Sequence, residues 1–158
     1  MAGSRFQRAM FEAQWPIPFD AVDIDDRPVS LEQYRGKVLL LDFWATWCGP
    51  CRQELPHLRT AFERFNGRGF DILSVSLDSG ERTSVEDYRA WISKNGMSWR
   101  HVYDRKGWQS PLVSAFRIEG IPFPILIGRD GKIVAMQGEC RGPNLERVIE
   151  QALAETGA

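Results

Sequence analysis

Residues 37–56 have the sequence KVLLLDFWATWCGPCRQELP, in which an apolar run leads into two cysteines separated by two residues. The run at 38–44 is interrupted by a single polar residue, Asp42, and such continuous apolar character is typical of a strand covered on both faces. From 52 to 65 the apolar residues recur at helical spacing, with Pro56 expected to kink the axis. The stretch therefore predicts a central strand that runs into a helix, with the cysteine pair at their junction.

Outward from this junction, strand-like and helix-like segments alternate along the chain. The pattern predicts an amino-terminal hairpin at 19–31, strands at 70–77, 99–103, 125–127 and 132–136, and helices at 84–95, 111–116 and 143–154. Strands that alternate with helices and end in a hairpin favour an α/β sandwich built on a mixed sheet.

The composition is that of one globular domain. The chain has 158 residues, 43% of them hydrophobic and 26% charged, with a net charge of −1 and three cysteines. The charge balance argues against a nucleic-acid-binding protein, and three cysteines are too few for a disulfide scaffold. Residues 1–14 lack the apolar run of a secretory signal, and no stretch is apolar enough to insert into a membrane. We interpret 1–14 as a flexible or expression-derived segment and 15–158 as the domain.

The two cysteines of the junction carry the predicted chemistry. Cys48 falls at the start of the helix, where unpaired N–H groups and the helix dipole stabilise a thiolate, and Pro50 suits the first turn because its missing N–H costs nothing there. Cys51 lies about one turn further, near enough to form a disulfide with Cys48. An accessible thiolate with a second thiol behind it is the requirement for thiol–disulfide exchange.

Half of a zinc site is the alternative interpretation of the pair. It would need two more ligands, and the remaining candidates are His57, His101 and Cys140. We interpret these three as structural residues, with Cys140 acting as a small buried hydrophobe. The sequence therefore implies neither a metal nor an organic cofactor.

The segment from Asp42 to Pro56 resembles the active-site segment of thioredoxin-fold proteins, and most closely that of the TlpA/ResA thiol–disulfide oxidoreductases within the AhpC/TSA-redoxin superfamily. The resemblance extends from about residue 18 to residue 153 and includes the lead-in at 29–37 and the segment at 120–132. It implies a thioredoxin-like three-layer α/β/α sandwich. The helix and strand at 84–103 correspond to the central insertion of the TlpA/ResA group.

The resemblance also implies roles for residues around the cysteines. Trp47 would border the exposed sulfur and, with the Gly49-Pro50 dipeptide, form part of the substrate-docking surface. Pro122 would be the cis-proline that faces the disulfide, and Ile121 would offer its backbone N–H and C=O to an extended substrate segment. The alternative is a trans-proline that begins a strand.

Two acids also match positions of these families. Asp42 corresponds to the buried acid behind the second cysteine, where desolvation raises the pKa and the group can take a proton from Cys51. Glu54 corresponds to the glutamate that tunes the cysteine pair in the ResA-like group. The alternatives are a strand-end acid that faces water and a solvated helix glutamate.

The segment after the proline departs from the group. Phe123 and Pro124 stand where relatives carry a small residue and Thr, and Gly128 replaces an Asp or Asn. We expect Phe123 to narrow the substrate groove or to make it more apolar, and Pro124 to be tolerated at a strand start.

The sequence thus predicts a thiol–disulfide oxidoreductase that reduces protein disulfides, with Cys48 as the nucleophile and Cys51 as the resolving thiol. Its partners would be a disulfide-bearing protein substrate and a protein electron donor, and the domain would be a monomer that works in the periplasm or cell envelope. A peroxiredoxin-type peroxidase is one alternative, although Ala45 and Leu41 do not match the Thr or Ser and the Pro of that pattern. A non-catalytic binding module is the other.

Overall fold

The computed structural model describes the backbone of residues 2–155 and the side chains from residue 8 onward. The helices in this range are α1 (Ala2–Gln14), α2 (Gly49–Phe65), α3 (Val85–Lys94), α4 (Pro111–Ala115) and α5 (Asn144–Ala154). The strands are β1 (Ala21–Val22), β2 (Pro28–Val29), β3 (Val38–Trp44), β4 (Phe70–Ser76), β5 (Arg100–Val102), β6 (Phe123–Ile127) and β7 (Ile133–Met136).

Strands β3 to β7 form one mixed sheet in the order β5-β4-β3-β6-β7, and β1 pairs with β2 in a separate hairpin. β4 is parallel to both β3 and β5, whereas β6 is antiparallel to both β3 and β7. The insertion predicted between the central strands and the proline loop is present as α3 and β5. The predicted α/β sandwich with a mixed sheet is therefore confirmed.

Strand β3 lies in the middle of the sheet and is buried along its whole length, which explains its apolar run. Side chains alternate between the two faces of a strand. Phe43 lies on one face, with its ring 5.3 Å from that of Phe116 at the end of α4. Trp44 lies on the other, with its ring 5.4 Å from that of Trp91 in α3. Helices therefore cover both faces, and Asp42 shares the face of Trp44.

Several element boundaries differ from those that the pattern predicts. Helix α2 begins at Gly49 rather than at residue 52 and continues across Pro56. The hairpin strands are shorter than expected, because the chain turns into a 3₁₀ helix at Leu31–Tyr34 instead of continuing the second strand. The Ser30 N–H donates to Gln33 Oε1 at 3.3 Å, which stabilises the start of that turn.

The amino-terminal segment, for which the sequence indicates a flexible or expression-derived stretch, includes helix α1 at Ala2–Gln14. Phe11 of this helix is only 5% exposed, and its ring lies 5.8 Å from that of Phe123 in β6. The Arg8 guanidinium donates to the carbonyl of Val134 in β7 at 2.9 Å. Residue 1 lies outside the described range. Helix α1 thus packs on the sheet beside β6 and β7.

The expectation that Phe123 lines the substrate groove is wrong, because helix α1 covers this residue. Phe123 is 3% exposed and contacts Phe11 of α1, so its ring fills the interior between the helix and the sheet. Pro124 is the second residue of β6 and lies in register with Asp42 of β3. Phe123 therefore belongs to the packing of α1, whereas Pro124 lies on the opposite face of the sheet, the face of Asp42.

We expect Phe11→Ala to lower the free energy of unfolding by about 3 kcal/mol, since it leaves a cavity against Phe123. Urea unfolding followed by circular dichroism measures the change. Gln14→Ala, at an exposed position of the same helix, is the matched control and should change the stability by less than about 0.5 kcal/mol. Equal effects of the two substitutions would show that the α1 contact does not stabilise the domain.

Candidate active site

The cysteine pair lies where β3 ends and α2 begins. Cys48 is the cap residue of α2, and its Sγ accepts a hydrogen bond from the backbone N–H of Cys51 at 3.2 Å. Pro50 occupies the first turn of the helix, as predicted. An N–H group directed at a sulfur from a helix amino terminus favours negative charge on that sulfur. The local geometry is therefore suited to a Cys48 thiolate.

Cys48 and Cys51 are joined by a disulfide, with their Cα atoms 5.2 Å apart. In this oxidised form Cys48 is 4% exposed and Cys51 is 3% exposed, whereas the neighbouring Trp47 is 52% exposed. Cys48 is thus less accessible than the sequence suggests, while the exposed Trp47 ring borders it in the chain. A side chain at Gly49 would meet no atom within 4 Å, so the surface above the helix start is open.

The loop before β6 lies next to Cys48 of the disulfide. The Ile121–Pro122 peptide bond is cis, as the resemblance implies, which excludes the alternative of a trans-proline. The Ile121 carbonyl oxygen lies 3.8 Å from Cys48 Sγ. The structure thus brings together Cys48 and Ile121, which are 73 residues apart in the chain.

Asp42 lies in β3 and is buried, which excludes the alternative of an acid that faces water. Burial raises its pKa from 3.8 to about 7, opposed by a hydrogen bond from Ser74 and assisted by the negative charge of Glu54. The Ser74 hydroxyl donates to Asp42 Oδ2 at 3.2 Å. A carboxyl group with this pKa can exchange a proton near neutral pH.

Glu54 is held in place instead of extending into solvent from α2. Its Oε2 accepts from the backbone N–H of Gly142 at 2.9 Å, and its Oε1 lies 3.4 Å from Arg141 Nε. The side chain is 16% exposed. Both partners precede α5, more than 80 residues further along the chain, and no local pattern indicates them.

Asp78, which no sequence motif indicates, fixes the loop before Cys48. It is fully buried beyond the end of β4. Its carboxyl oxygens accept hydrogen bonds from the Thr46 N–H at 3.0 Å, the Thr46 hydroxyl at 2.5 Å and the Ser76 hydroxyl at 2.5 Å. The polar alternation of Ser74, Ser76 and Asp78 was the available signal. Asp78 thereby connects the ends of β3 and β4 beside the cysteine pair.

We expect Asp78→Ala to lower the free energy of unfolding by about 3 kcal/mol, because the buried Ser76 hydroxyl and the partly buried N–H and hydroxyl of Thr46 lose their acceptor. We also expect slower disulfide exchange, since Thr46 no longer fixes the loop that carries Cys48. Denaturant unfolding and insulin reduction measure the two effects. Asp20→Ala, at an exposed acid, is the control. Unchanged stability and rate in Asp78→Ala would contradict the role of this contact.

His101 and Cys140 are both buried in the interior. His101 is buried, with its ring nitrogens 2.8 Å from the Tyr88 hydroxyl and 3.0 Å from the Met97 carbonyl oxygen. Cys140 is a buried free thiol, and burial raises its pKa to about 12. Among the described residues, no three His, Cys, Asp or Glu side chains are grouped in a way that could hold a metal ion.

The fold and the cysteine pair together define a class, the thioredoxin-fold proteins with a redox-active CxxC. Comparison with known proteins agrees with this class. Residues 11–138 match the AhpC/TSA family. The thiol-disulfide oxidoreductase ResA of Geobacillus kaustophilus is 30% identical over 134 residues, which cover 84% of this chain and 72% of the relative. ResA of Halalkalibacterium halodurans is 28% identical over 135 residues, or 85% of this chain and 71% of the relative.

Solved structures show the same similarity. The thioredoxin domain of a thiol-disulfide oxidoreductase from Bacteroides vulgatus superposes with a TM-score of 0.72 at 34% identity, covering 85% of this chain and 93% of that one. A thiol-disulfide oxidoreductase from Bacteroides fragilis gives a TM-score of 0.69 at 30% identity, with coverage of 84% and 98%. The chain belongs to the AhpC/TSA family and is a TlpA/ResA-like redoxin within it. Its activity is thiol–disulfide exchange.

Proposed function

We propose that the protein reduces disulfide bonds of protein substrates, with Cys48 as the nucleophile. The observation that carries the role of Cys48 as the nucleophile is the hydrogen bond from the Cys51 N–H to Cys48 Sγ at the start of α2, which favours the thiolate at residue 48. The Gly49-Pro50 dipeptide, which resembles that of reducing thioredoxins, supports the reductive direction.

The reaction proceeds through a mixed disulfide. The Cys48 thiolate attacks one sulfur of the substrate disulfide, a bond forms between the two sulfurs, and the other substrate sulfur leaves as a thiolate that takes a proton from water. Cys51 then loses its proton to the Asp42 carboxylate and attacks Cys48 Sγ. The second substrate thiolate leaves, and the enzyme retains the Cys48–Cys51 disulfide. Two electrons pass from the enzyme dithiol to the substrate, and a protein donor must return them.

The surface beside the disulfide is suited to an extended polypeptide. The exposed Trp47 ring and the open surface at Gly49 and Pro50 form one side, and the backbone of Ile121 and Pro122 forms the other. The Ile121 carbonyl next to Cys48 Sγ can accept a backbone hydrogen bond from a bound segment. We propose that these five residues bind the substrate, and that Glu54 adjusts the cysteine pair through its charge.

The reduction potential tests the direction. We expect a value near −270 mV, as for thioredoxin, and a value near −120 mV, as for the oxidant DsbA, would overturn the reductive assignment. Equilibration of the Cys48–Cys51 pair in dithiol–disulfide buffers gives the potential. Rapid peroxide consumption that survives Cys51→Ser would instead support a peroxidase.

We also propose that the protein works outside the cytoplasm, in the periplasm or cell envelope. ResA-like and DsbE-like proteins are typically extracytoplasmic, which supports the proposal. Within residues 2–155, none of the helices combines the length and the apolar character that a bilayer span requires. Fractionation of cells that express the protein from its own gene tests the location, and recovery with cytosolic markers would contradict it.

A further inference from the structure

A row of three polar residues crosses the sheet from β3 to β5. Asp42 of β3 is in register with Ser74 of β4, and Ser74 is in register with His101 of β5. Residues paired in this way lie on the same face of the sheet. All three are buried, with Ser74 fully inaccessible and His101 1% exposed. Buried polar groups in an otherwise apolar layer require partners, and the partners here form a chain.

The chain of hydrogen bonds ends at the acid. The indole Nε1–H of Trp99 donates to Ser74 Oγ at 2.8 Å, and the Ser74 hydroxyl donates to Asp42 Oδ2 at 3.2 Å. An indole N–H is a donor only, so of these two partners only Asp42 can accept the Ser74 proton. A donor on the Ser74 oxygen also polarises the hydroxyl and strengthens the bond to Asp42.

The insertion between β4 and α4 fixes the position of Trp99. The Trp99 ring is stacked on that of His101, with centroids 6.1 Å apart, and lies 5.4 Å from that of Phe62 in α2. The His101 ring is itself held by the Tyr88 hydroxyl of α3 and the carbonyl of Met97. The inserted helix and strand therefore support the group that contacts Ser74.

We propose that Ser74 and Trp99 are positioning residues of the redox reaction, which hold the Asp42 carboxylate in place to accept the proton of Cys51. This inference rests on the proposed function, since it concerns the step in which Cys51 resolves the mixed disulfide. In that step the Cys51 S–H bond breaks, Asp42 takes the proton, and the sulfur electron pair forms the bond to Cys48 Sγ.

Three other titratable groups lie near Asp42 or next to its hydrogen-bond partners, and their charge states bear on the pKa of Asp42. Glu54 of α2 adds a negative charge that raises the pKa of Asp42. The pKa of Tyr88 in α3 is raised well above 10.0, mainly by burial and further by the negative charges of Asp78 and Asp42. Tyr88 is therefore neutral in the range of the test. Burial lowers the pKa of His101 to about 4, so it is neutral in the range of the test.

Ser74 affects the pKa of Asp42 in the opposite direction to burial and to Glu54. The hydrogen bond that Ser74 donates stabilises the charged carboxylate and therefore lowers the pKa of Asp42 against the effect of burial. Without this bond the carboxylate form becomes rarer at neutral pH. The resolving step then slows below the new pKa and recovers above it. A purely structural role for Ser74 would not move the pH profile in this way.

The test measures the titration of Asp42 and the pH dependence of the resolving step. Carbon-13 NMR of reduced, aspartate-labelled protein reports the apparent pKa of Asp42. Stopped-flow release of thionitrobenzoate from 5,5′-dithiobis(2-nitrobenzoate) resolves the Cys51-dependent phase, which does not vary with reagent concentration. For Ser74→Ala we expect the pKa to rise by about one unit and the rate of this phase at pH 6 to fall about tenfold. Trp99→Phe should cause a smaller shift in the same direction.

Two controls complete the design. Ser98→Ala, next to Trp99 but exposed, should leave the profile unchanged. In an Asp42→Asn background, Ser74→Ala should no longer alter the pH dependence. If Ser74→Ala and Trp99→Phe both leave the titration of Asp42 unchanged, the inference is wrong even though insulin reduction persists. If wild type and Cys48→Ser reduce insulin equally, the proposed function fails whatever Asp42 does.

Discussion

Cys48→Ser is expected to reduce the rate of insulin disulfide reduction by more than about 1000-fold, because the substitution removes the proposed nucleophile. A serine hydroxyl at the same helix terminus is not ionised at neutral pH and cannot form the mixed disulfide. The turbidity of precipitating insulin B chain, with dithiothreitol as the electron donor, measures the rate against the uncatalysed reaction.

Cys51→Ser separates the two chemical steps. The Cys48 thiolate can still attack a substrate disulfide, but no second thiol releases the product, so a covalent complex should accumulate. Non-reducing electrophoresis after incubation with oxidised insulin detects the mixed-disulfide complex, and added dithiothreitol should reduce it to the two separate proteins.

Cys140→Ser is the control for both cysteine variants, because the buried free thiol of Cys140 lies outside the redox pair. It should retain the wild-type rate and form no trapped complex. A Cys48→Ser variant that matched wild type, or a trapped complex that formed through residue 51, would exclude the proposed order of attack.

Asp42→Asn is expected to stabilise the protein at pH 8 by up to about 4 kcal/mol while leaving the stability at pH 4 almost unchanged. The pKa of Asp42 is about 7 in the folded protein, above the value of 3.8 for a solvated aspartate. The buried carboxyl therefore supports folding fully below about pH 4, and this contribution is lost as the pH rises to 7. Asparagine carries no charge at either pH, so it avoids the cost of burying a carboxylate.

The same substitution should slow disulfide reduction on the order of 100-fold, because the proton acceptor for Cys51 is lost. Urea unfolding at the two pH values and the insulin assay measure the opposite effects. Asp20→Asn, at an exposed acid, should show neither. A pH-independent change in stability would mean that Asp42 does not titrate near neutrality in the folded protein.

Local sequence patterns predicted the elements that position the redox pair. The apolar run before Cys48 requires a buried strand, and the helical periodicity after Cys51 requires a helix, so the junction follows from the chain itself. The position of Cys48 as the helix cap and the place of Pro50 in the first turn follow from where this one helix begins. The cis bond before Pro122 was predicted from resemblance, which reports what related chains do at that position.

Helix α1 shows where local patterns were not sufficient. Phe11 of this helix packs against Phe123, more than 100 residues away in the chain, so the expected role of Phe123 in the substrate groove was wrong. Isolated helices of this length are marginal in water, and their stability comes from the surface on which they pack. That surface exists only once β6 is in the sheet.

The sequence alone determined that a thiol pair lies at a helix start behind a buried strand, because the strand, the cap and the first helical turn depend on neighbours in the chain. The tertiary structure alone decided what surrounds the pair. Ser74 donates to Asp42, Trp99 donates to Ser74, Asp78 fixes Thr46, and Gly142 holds Glu54. These partners are separated by 25 to 88 residues, and their contacts arise from strand register and helix packing, which nearby sequence does not specify.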